Sequence, residues 1–173
     1  EENEKSNLYS RQEIMLGISI LVKKAIGAFI KASNCLPECI IFFRDGVAEN
    51  QMQTILEIET KAILRELEII YEKSPLSIKF AEIIVQKRID DRIFTKFVPP
   101  GAGRNFSAPP NISNTPTYYN PPAGTLVNQD IVSNDFEYLL VSQNVRQGQG
   151  TCTPTRYKVI YNSTDLTQDM FWN

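Results

Sequence analysis

Asp45 is the side chain of this sequence best placed to do chemistry on a bound ligand. It follows five consecutive apolar residues, 39–43, and precedes Gly46. A run without polar alternation predicts a strand buried on both faces, in the middle of a parallel sheet covered by helices. Ligands of such sheets gather at the carboxyl ends of the strands, and Gly46 permits a sharp turn there, so the Asp45 carboxylate is expected at the rim. The alternative is an aspartate that only caps the following helix.

A basic segment follows the next apolar run in the chain. Residues 80–85 are apolar apart from Glu82, and Lys87, Arg88 and Arg92 come directly afterwards. Strand, helix and strand at this spacing predict a right-handed crossover with parallel strands. The basic residues should therefore emerge on the same rim as Asp45, and their simplest interpretation is a solvated charged run.

Two amphipathic helices must position these groups. Apolar residues recur at helical spacing over 12–32, with Glu13 in the first turn, where the simplest interpretation is a partner of the helix dipole. A second helix is predicted over 49–71 and ends before Ser74-Pro75. Its predicted apolar face consists of Met52, Ile55, Leu56, Ala62, Ile63, Leu67 and Ile70.

The second half of the chain is predicted to be strands around a long loop. Residues 98–123 hold seven of the ten prolines, which predicts an irregular loop within the domain. Short strands are expected at 124–127, 136–141 and 157–161, with a polar turn over 142–150. The last residues, 165–173, are typical of the opening of a helix, so the chain is expected to be incomplete.

Composition restricts the class of protein. The chain has 173 residues, 42% hydrophobic and 22% charged, with a net charge of −2, which fits one soluble globular domain and no membrane span. Three cysteines without framework spacing favour a reducing compartment, either cytoplasm or nucleus. Cys35 and Cys39 are expected to be buried or idle thiols rather than metal ligands, since the chain has no histidine and no second cysteine pair.

Four segments in order resemble the Piwi domain of the Argonaute superfamily. They are Arg11-Gln12-Glu13-Ile14, Ile41-Phe42-Phe43-Arg44-Asp45-Gly46-Val47, Ile84-Val85-Gln86-Lys87-Arg88, and Gly124-Thr125-Leu126-Val127 with the stretches 140–148 and 153–161. The last group is more similar to the Piwi branch than to the Argonaute branch. The resemblance implies an α/β fold, a ribonuclease H-like mixed sheet flanked by helices, here a partial domain over 1–173 that is incomplete at both ends.

The resemblance also implies small-RNA-guided silencing. Family members bind a guide RNA and, when their site is complete, cleave the paired target by a two-metal reaction that uses Mg²⁺. Asp45 and Glu13 match a metal-ligating aspartate and the glutamate that completes the site, and the other two acidic or histidine positions of the family fall outside this chain. The expected partners are guide RNA, target RNA and protein effectors. Two alternatives remain: guide and target binding without cleavage, and a ribonuclease H-like nuclease unrelated to small RNA.

The resemblance assigns the nucleic-acid contacts to a further set of residues. These are Lys87, Arg88, Arg92, Gln143, Arg146, Arg156 and Lys158, with Arg146 and Arg156 alternatively structural. Two departures from the family pattern accompany them. Asp90 and Asp91 stand where histidines are usual and should repel phosphate. Gln149 and Gly150 lengthen the turn before Thr151.

Overall fold

The structure, a computed structural model, describes residues 14–97, 117–132, 136–145 and 150–167. Several predictions fall wholly or partly outside these ranges: the start of the first helix with Glu13, most of the proline-rich stretch, the middle of the polar turn with Arg146 and Gln149, and the helix opening near the last residues. The described residues form two compact units, one drawn from 1–86, 134–137 and 157–173, the other from 87–133 and 138–156.

The helical elements all belong to the first unit. Helix α1 is followed, after β1, by a nearly continuous helical segment that passes through a 3₁₀ turn, two α-helices and a π turn. Their bounds are α1 (Ile18–Ser33), the 3₁₀ turn (Glu49–Gln51), α2 (Met52–Ile55), the π turn (Leu56–Thr60) and α3 (Lys61–Tyr71). None of the helices in the described ranges is long and apolar enough to cross a bilayer.

The described part of the chain contains seven strands in two sheets. Their bounds are β1 (Cys39–Asp45), β2 (Lys79–Gln86), β3 (Thr95–Phe97), β4 (Thr117–Tyr119), β5 (Leu126–Val127), β6 (Glu137–Leu140) and β7 (Thr155–Asn162). The larger sheet has the hydrogen-bonded order β1-β2-β7-β6-β5, and β3 pairs with β4 alone. The larger sheet is mixed, because β1 runs parallel to β2 whereas β5 and β6 are antiparallel.

The parallel pairing of β1 and β2 is confirmed, with Asp45 opposite Val85. Burial of β1 on both faces is wrong. β1 is the terminal strand of the described sheet, and exposure alternates along it, so Ile41 is 42% and Phe43 56% exposed while Arg44 is buried. An apolar run specifies a strand but cannot say whether a neighbour covers its second face.

The core of the first unit lies between the helices and β2. Ile18 and Ile26 of α1 pack with Ile63 and Leu67 of α3 and with Phe80 of β2. Most of the predicted apolar face of α1 is not buried, however: Leu21, Ala25 and Phe29 are exposed. Helical spacing shows which side of a helix is apolar, but not how much of that side a neighbouring element covers.

The second unit includes a two-stranded sheet that the sequence did not predict. Thr117–Tyr119 pairs antiparallel with Thr95–Phe97, although 117–119 falls in the stretch predicted to be irregular. The predicted strand at 124–127 is formed by Leu126 and Val127 alone, paired with Leu140 and Leu139 of β6. Pairing between segments far apart in sequence is not visible in local composition, which explains the missed strand.

Candidate functional site

Asp45 is the last residue of β1, and its side chain is exposed. Its Oδ1 accepts a hydrogen bond from the backbone N–H of Gly46 at 2.8 Å. Gly46 has φ of 76°, a left-handed conformation that an L side chain would strain, so the predicted sharp turn is present. The N-cap of the following 3₁₀ turn is Ala48, not Asp45, and Gln51 Oε1 accepts from the Ala48 N–H at 3.2 Å. The capping alternative therefore does not explain Asp45.

Arg44 holds the backbone of Asp45 from the other face of the strand. It is 8% exposed, and its Nη1 donates to the Asp45 carbonyl oxygen at 2.5 Å. Its Nε and Nη2 donate to Glu59 Oε2 and Oε1 at 2.9 and 3.2 Å. The guanidinium therefore bonds a carboxylate and a carbonyl at once, which its planar set of donors suits.

Glu59 accepts from a third donor. Its Oε1 also receives the backbone N–H of Met15 at 2.7 Å, and the side chain of Glu59 is wholly buried. Sequence reasoning missed this residue. The signal was present, because Ile55, Glu59, Ile63 and Leu67 recur at intervals of four and place one acid on the apolar face of the helical segment.

A second buried acid lies on the neighbouring strand. Glu82 of β2 has no exposed surface, and its Oε2 accepts from Thr60 Oγ1 at 2.7 Å. Burial raises the pKa of Glu82 to about 7; Thr60 opposes the rise, and the negative charge of Glu59 adds to it. Near neutral pH this carboxyl is thus divided between its protonated and charged forms.

The basic segment after β2 is exposed at Lys87, Arg88 and Arg92. The Nη1 of Arg92 donates to the carbonyl oxygens of Ile89 and Asp91, at 2.8 and 2.7 Å, so this guanidinium folds back on its own segment. Within the first unit, Gln86 Nε2 donates to the Val47 carbonyl at 3.0 Å and bonds the end of β2 to the residues after Asp45.

Two of the predicted nucleic-acid contacts are held in ion pairs. Arg156 Nη2 lies 2.7 Å from Asp91 Oδ2, and Lys158 Nζ lies 2.5 Å from Glu49 Oε1 and 4.0 Å from Glu137 Oε2. These contacts agree with the structural alternative for Arg156. They also mean that the charge of Asp91, a departure from the family pattern, is offset by a nearby cation.

Gln143 is exposed in the turn that follows β6, and Arg146 lies outside the described residues. The side chain of Asn120 bonds both sides of this turn: its Nδ2 donates to Gly150 O at 2.8 Å and to Val145 O at 3.4 Å. Its Oδ1 accepts from the Cys152 N–H at 3.0 Å. Asn144 Oδ1 accepts from the Ala123 N–H at 2.7 Å. Two asparagines thus fix the ends of the turn.

The described residues alone do not make a complete magnesium site. An exposed carboxylate such as Asp45 is a suitable oxygen ligand for a hard cation. Among the described residues, though, no three histidine, cysteine, aspartate or glutamate side chains lie close enough together to hold a metal ion. Glu13 is not among them. Cys35 and Cys39 are exposed and Cys152 is buried, all as free thiols.

The strand order, the parallel β1–β2 pair and the packed helices define a ribonuclease H-like α/β fold of the Argonaute and Piwi class. A crystal structure of Drosophila Piwi is similar, with a TM-score of 0.63 and 28% identity, over 88% of this chain and 18% of that one. The Piwi domain family model matches residues 3–173. The chain belongs to the Piwi domain family.

Two curated relatives agree with this membership. Piwi-like protein 3 of Homo sapiens is 33% identical over 159 residues, 91% of this chain and 16% of the relative. Protein argonaute-3 of Drosophila melanogaster is 35% identical over 161 residues, 92% of this chain and 16% of the relative. The chain therefore spans about a sixth of the length of these relatives.

Proposed function

We propose that this chain is the part of a small-RNA-guided Piwi protein that contacts the guide RNA and supplies acids for cleaving the paired target. Membership of the Piwi domain family supports the first half of the proposal. The observation that carries the second half is Asp45: an exposed carboxylate at the end of a parallel strand, with its backbone carbonyl bonded to a buried arginine.

Guide binding is assigned to the exposed basic segment after β2. Lys87 and Arg88 present cationic side chains, and RNA phosphates bind such groups without regard to base sequence. Arg156 and Lys158 are proposed to orient acids of their own units as much as to contact RNA, because each already lies beside a carboxylate. Arg92, Gln143 and Arg146 complete the proposed contact set.

Cleavage is assigned to Asp45 and Glu13 as ligands of divalent cation. Bound Mg²⁺ would supply a water activated for attack on a phosphodiester and neutralise the leaving oxygen. The role of this chain is to hold the Asp45 carboxylate outward at a fixed point of the sheet edge. Gly46 makes the turn after it, and Arg44 holds the main chain before the turn.

The proposal is tested by Asp45→Asn in the full-length, guide-loaded protein. The amide keeps the shape but loses the charge that a hard cation needs, so cleavage of a matched RNA target should fall below detection in Mg²⁺. Guide loading should stay unchanged, because the phosphate contacts come from other residues. Glu13→Gln should cut slowly rather than not at all, since that residue completes the metal shell.

Asp165→Asn is the matched control, because Asp165 is an exposed aspartate of the same unit that pairs with Lys79. It should cleave at the wild-type rate. Wild-type cleavage by Asp45→Asn would overturn the catalytic assignment. A wild-type protein that loads the guide normally but leaves the target intact would favour binding without cleavage, with silencing through recruited effectors.

A further inference from the structure

The buried carboxylate of Glu59 joins two segments that are far apart in sequence. It accepts the Met15 N–H at 2.7 Å and the Arg44 Nε at 2.9 Å, and Arg44 in turn donates to the Asp45 carbonyl at 2.5 Å. Asp45 is thus linked to Glu59 through the side chain of Arg44, whereas Met15 donates to Glu59 directly. Met15 lies two residues after Glu13 in the sequence.

Stability alone is a weak reason for such a pair. Removing a guanidinium and a carboxylate from water costs about as much as their attraction returns, and apolar side chains of equal volume often serve a fold as well. Here Glu59 is wholly buried and Arg44 is 8% exposed, so both ions are desolvated. An apolar pair, however, could neither accept the Met15 N–H nor donate to the Asp45 carbonyl.

The local helix geometry also favours a positioning role. Glu59 and Thr60 are consecutive and both buried, within the π turn Leu56–Thr60. In a regular α-helix, neighbouring residues are separated by about 100° around the axis, whereas the wider π turn brings successive side chains closer to one direction. The wider turn lets Glu59 face Arg44 while Thr60 bonds Glu82. Such turns occur often at functional sites.

We propose that Glu59 is a positioning residue for cleavage, which sets the end of β1 relative to the segment that begins at Met15. This inference rests on the proposed function, because it matters for catalysis only if Asp45 and Glu13 act in cleavage. Its structural half, the connection of Met15 to Asp45 through Glu59 and Arg44, can be measured without any cleavage.

Hydrogen exchange of the full-length protein measures the connection directly. Glu59→Gln replaces two negatively charged oxygens with one neutral oxygen, so it cannot accept hydrogen bonds from both Met15 and Arg44 as strongly. Exchange at the Met15 amide and in the peptide covering 44–47 should become faster, by about tenfold or more at Met15. Exchange in β2 should stay at the wild-type rate, which shows that the core is intact.

Two further variants separate positioning from a general loosening of the core. Glu57→Gln is the matched control, because Glu57 is an exposed glutamate of the same π turn whose carboxylate accepts from Gln53. It should change the exchange rate neither at the Met15 amide nor in the peptide 44–47. Arg44→Lys keeps the charge beside Glu59 but loses the planar fork. It should speed exchange at 44–47 and leave the Met15 amide protected.

Cleavage is the second measurement. With guide and target saturating, Glu59→Gln should slow cleavage by about 10- to 100-fold while the Kd for guide changes less than about twofold, as for other groups that orient a reactive residue. If the wild-type protein does not cleave, the proposed function fails while the exchange result still decides the structural half.

Three results would overturn the inference. The first is an unchanged Met15 amide in Glu59→Gln. The second is normal cleavage in Glu59→Gln by a protein whose wild type cleaves. The third is faster exchange throughout β2 in both Glu59→Gln and Arg44→Lys, because the pair would then serve only to hold the fold together.

Discussion

At the scale of single residues, the acids of the first unit differ in what surrounds them. Asp45 is exposed at a strand end, Glu59 is buried against the cation of Arg44, and Glu82 is buried against the hydroxyl of Thr60. Environment rather than residue type therefore distinguishes the roles proposed for them: a cation ligand for Asp45, an orienting group for Glu59, and for Glu82 a carboxyl that can be neutral near pH 7.

Glu82 should make stability depend on pH. Its pKa is about 7 when folded, raised chiefly by burial from the ordinary value of 4.5. Between these values the folded state binds the extra proton, so the contribution of Glu82 to stability is fully present below about pH 4.5 and is lost as the pH rises through 7. Glu82→Gln, which copies the neutral form, should therefore stabilise the protein more at pH 8 than at pH 5.5.

The size of this effect is about 1–3 kcal/mol at pH 8, given a shift of that extent in a buried group. Scanning fluorimetry of the full-length variant and wild type at the two pH values measures it as a rise in Tm. A Tm difference that is equal at pH 5.5 and pH 8 would show that Glu82 does not titrate in this range.

Residue roles were the part least accessible from sequence. The motif around Asp45 and the turn at Gly46 could be predicted, because strand ends and glycines follow local rules. The link from Met15 to Asp45 through Glu59 could not, because three segments must fold together before those atoms meet. The pairing of Asp91 with Arg156 was missed for the same reason: the two residues are separated by 65 positions.

At the scale of elements, periodicity predicted the positions of helices and strands better than their pairing. The helical segment 49–71 and the strand 79–86 lie where the spacing of apolar residues placed them. The first helix begins at Ile18 rather than at the predicted residue 12, because residues 14–17 form coil and a turn. The exposed face of β1, the π turn and the β3–β4 pair were missed. Each depends on which neighbour covers a face or on hydrogen bonds between distant segments, which one sequence does not encode locally.

At the scale of elements, the prediction concerns guide binding by the basic segment after β2. Changing Lys87 and Arg88 together to Glu in the full-length protein should weaken guide binding at least about tenfold for guides of any sequence, because both side chains are proposed to bind phosphate rather than bases. The dependence of log K on log salt should become shallower by roughly 0.7 for each phosphate that the variant no longer neutralises. Filter binding at several salt concentrations measures both quantities.

Lys61 and Arg65 provide the matched control for charge. Both lie exposed on α3, and changing both to Glu alters the net charge of the chain by the same amount. Guide affinity should then stay within about twofold of wild type at moderate salt. Equally weakened binding in the two double variants would mean that total charge, rather than the segment after β2, controls affinity.

At the scale of the whole molecule, the first unit exposes many apolar side chains. Leu16 is 72% exposed and Ile20 59%, and Leu21 and Ile41 are also exposed. Where such side chains form one surface, that surface is normally covered by other protein. In relatives of which this chain spans 16% of the length, much more polypeptide is present to do so.

We therefore predict that the 173-residue chain aggregates when produced alone. Light scattering and size-exclusion chromatography at micromolar concentration should show large species, and a dye for apolar surface should bind. Ile20→Gln with Leu21→Gln should reduce the scattering, because both positions are exposed on α1. A monomer with a cooperative thermal transition and well-dispersed amide resonances would contradict this prediction.

The π turn makes chain length, and not only chemistry, a constraint on this protein's evolution. Removing one residue from Leu56–Thr60 would restore an ordinary helix, in which neighbouring residues are separated by about 100° around the axis. Glu59 and Thr60 could then no longer both keep their present partners, Arg44 and Glu82. Point substitutions should accumulate in this segment far more readily than insertions or deletions.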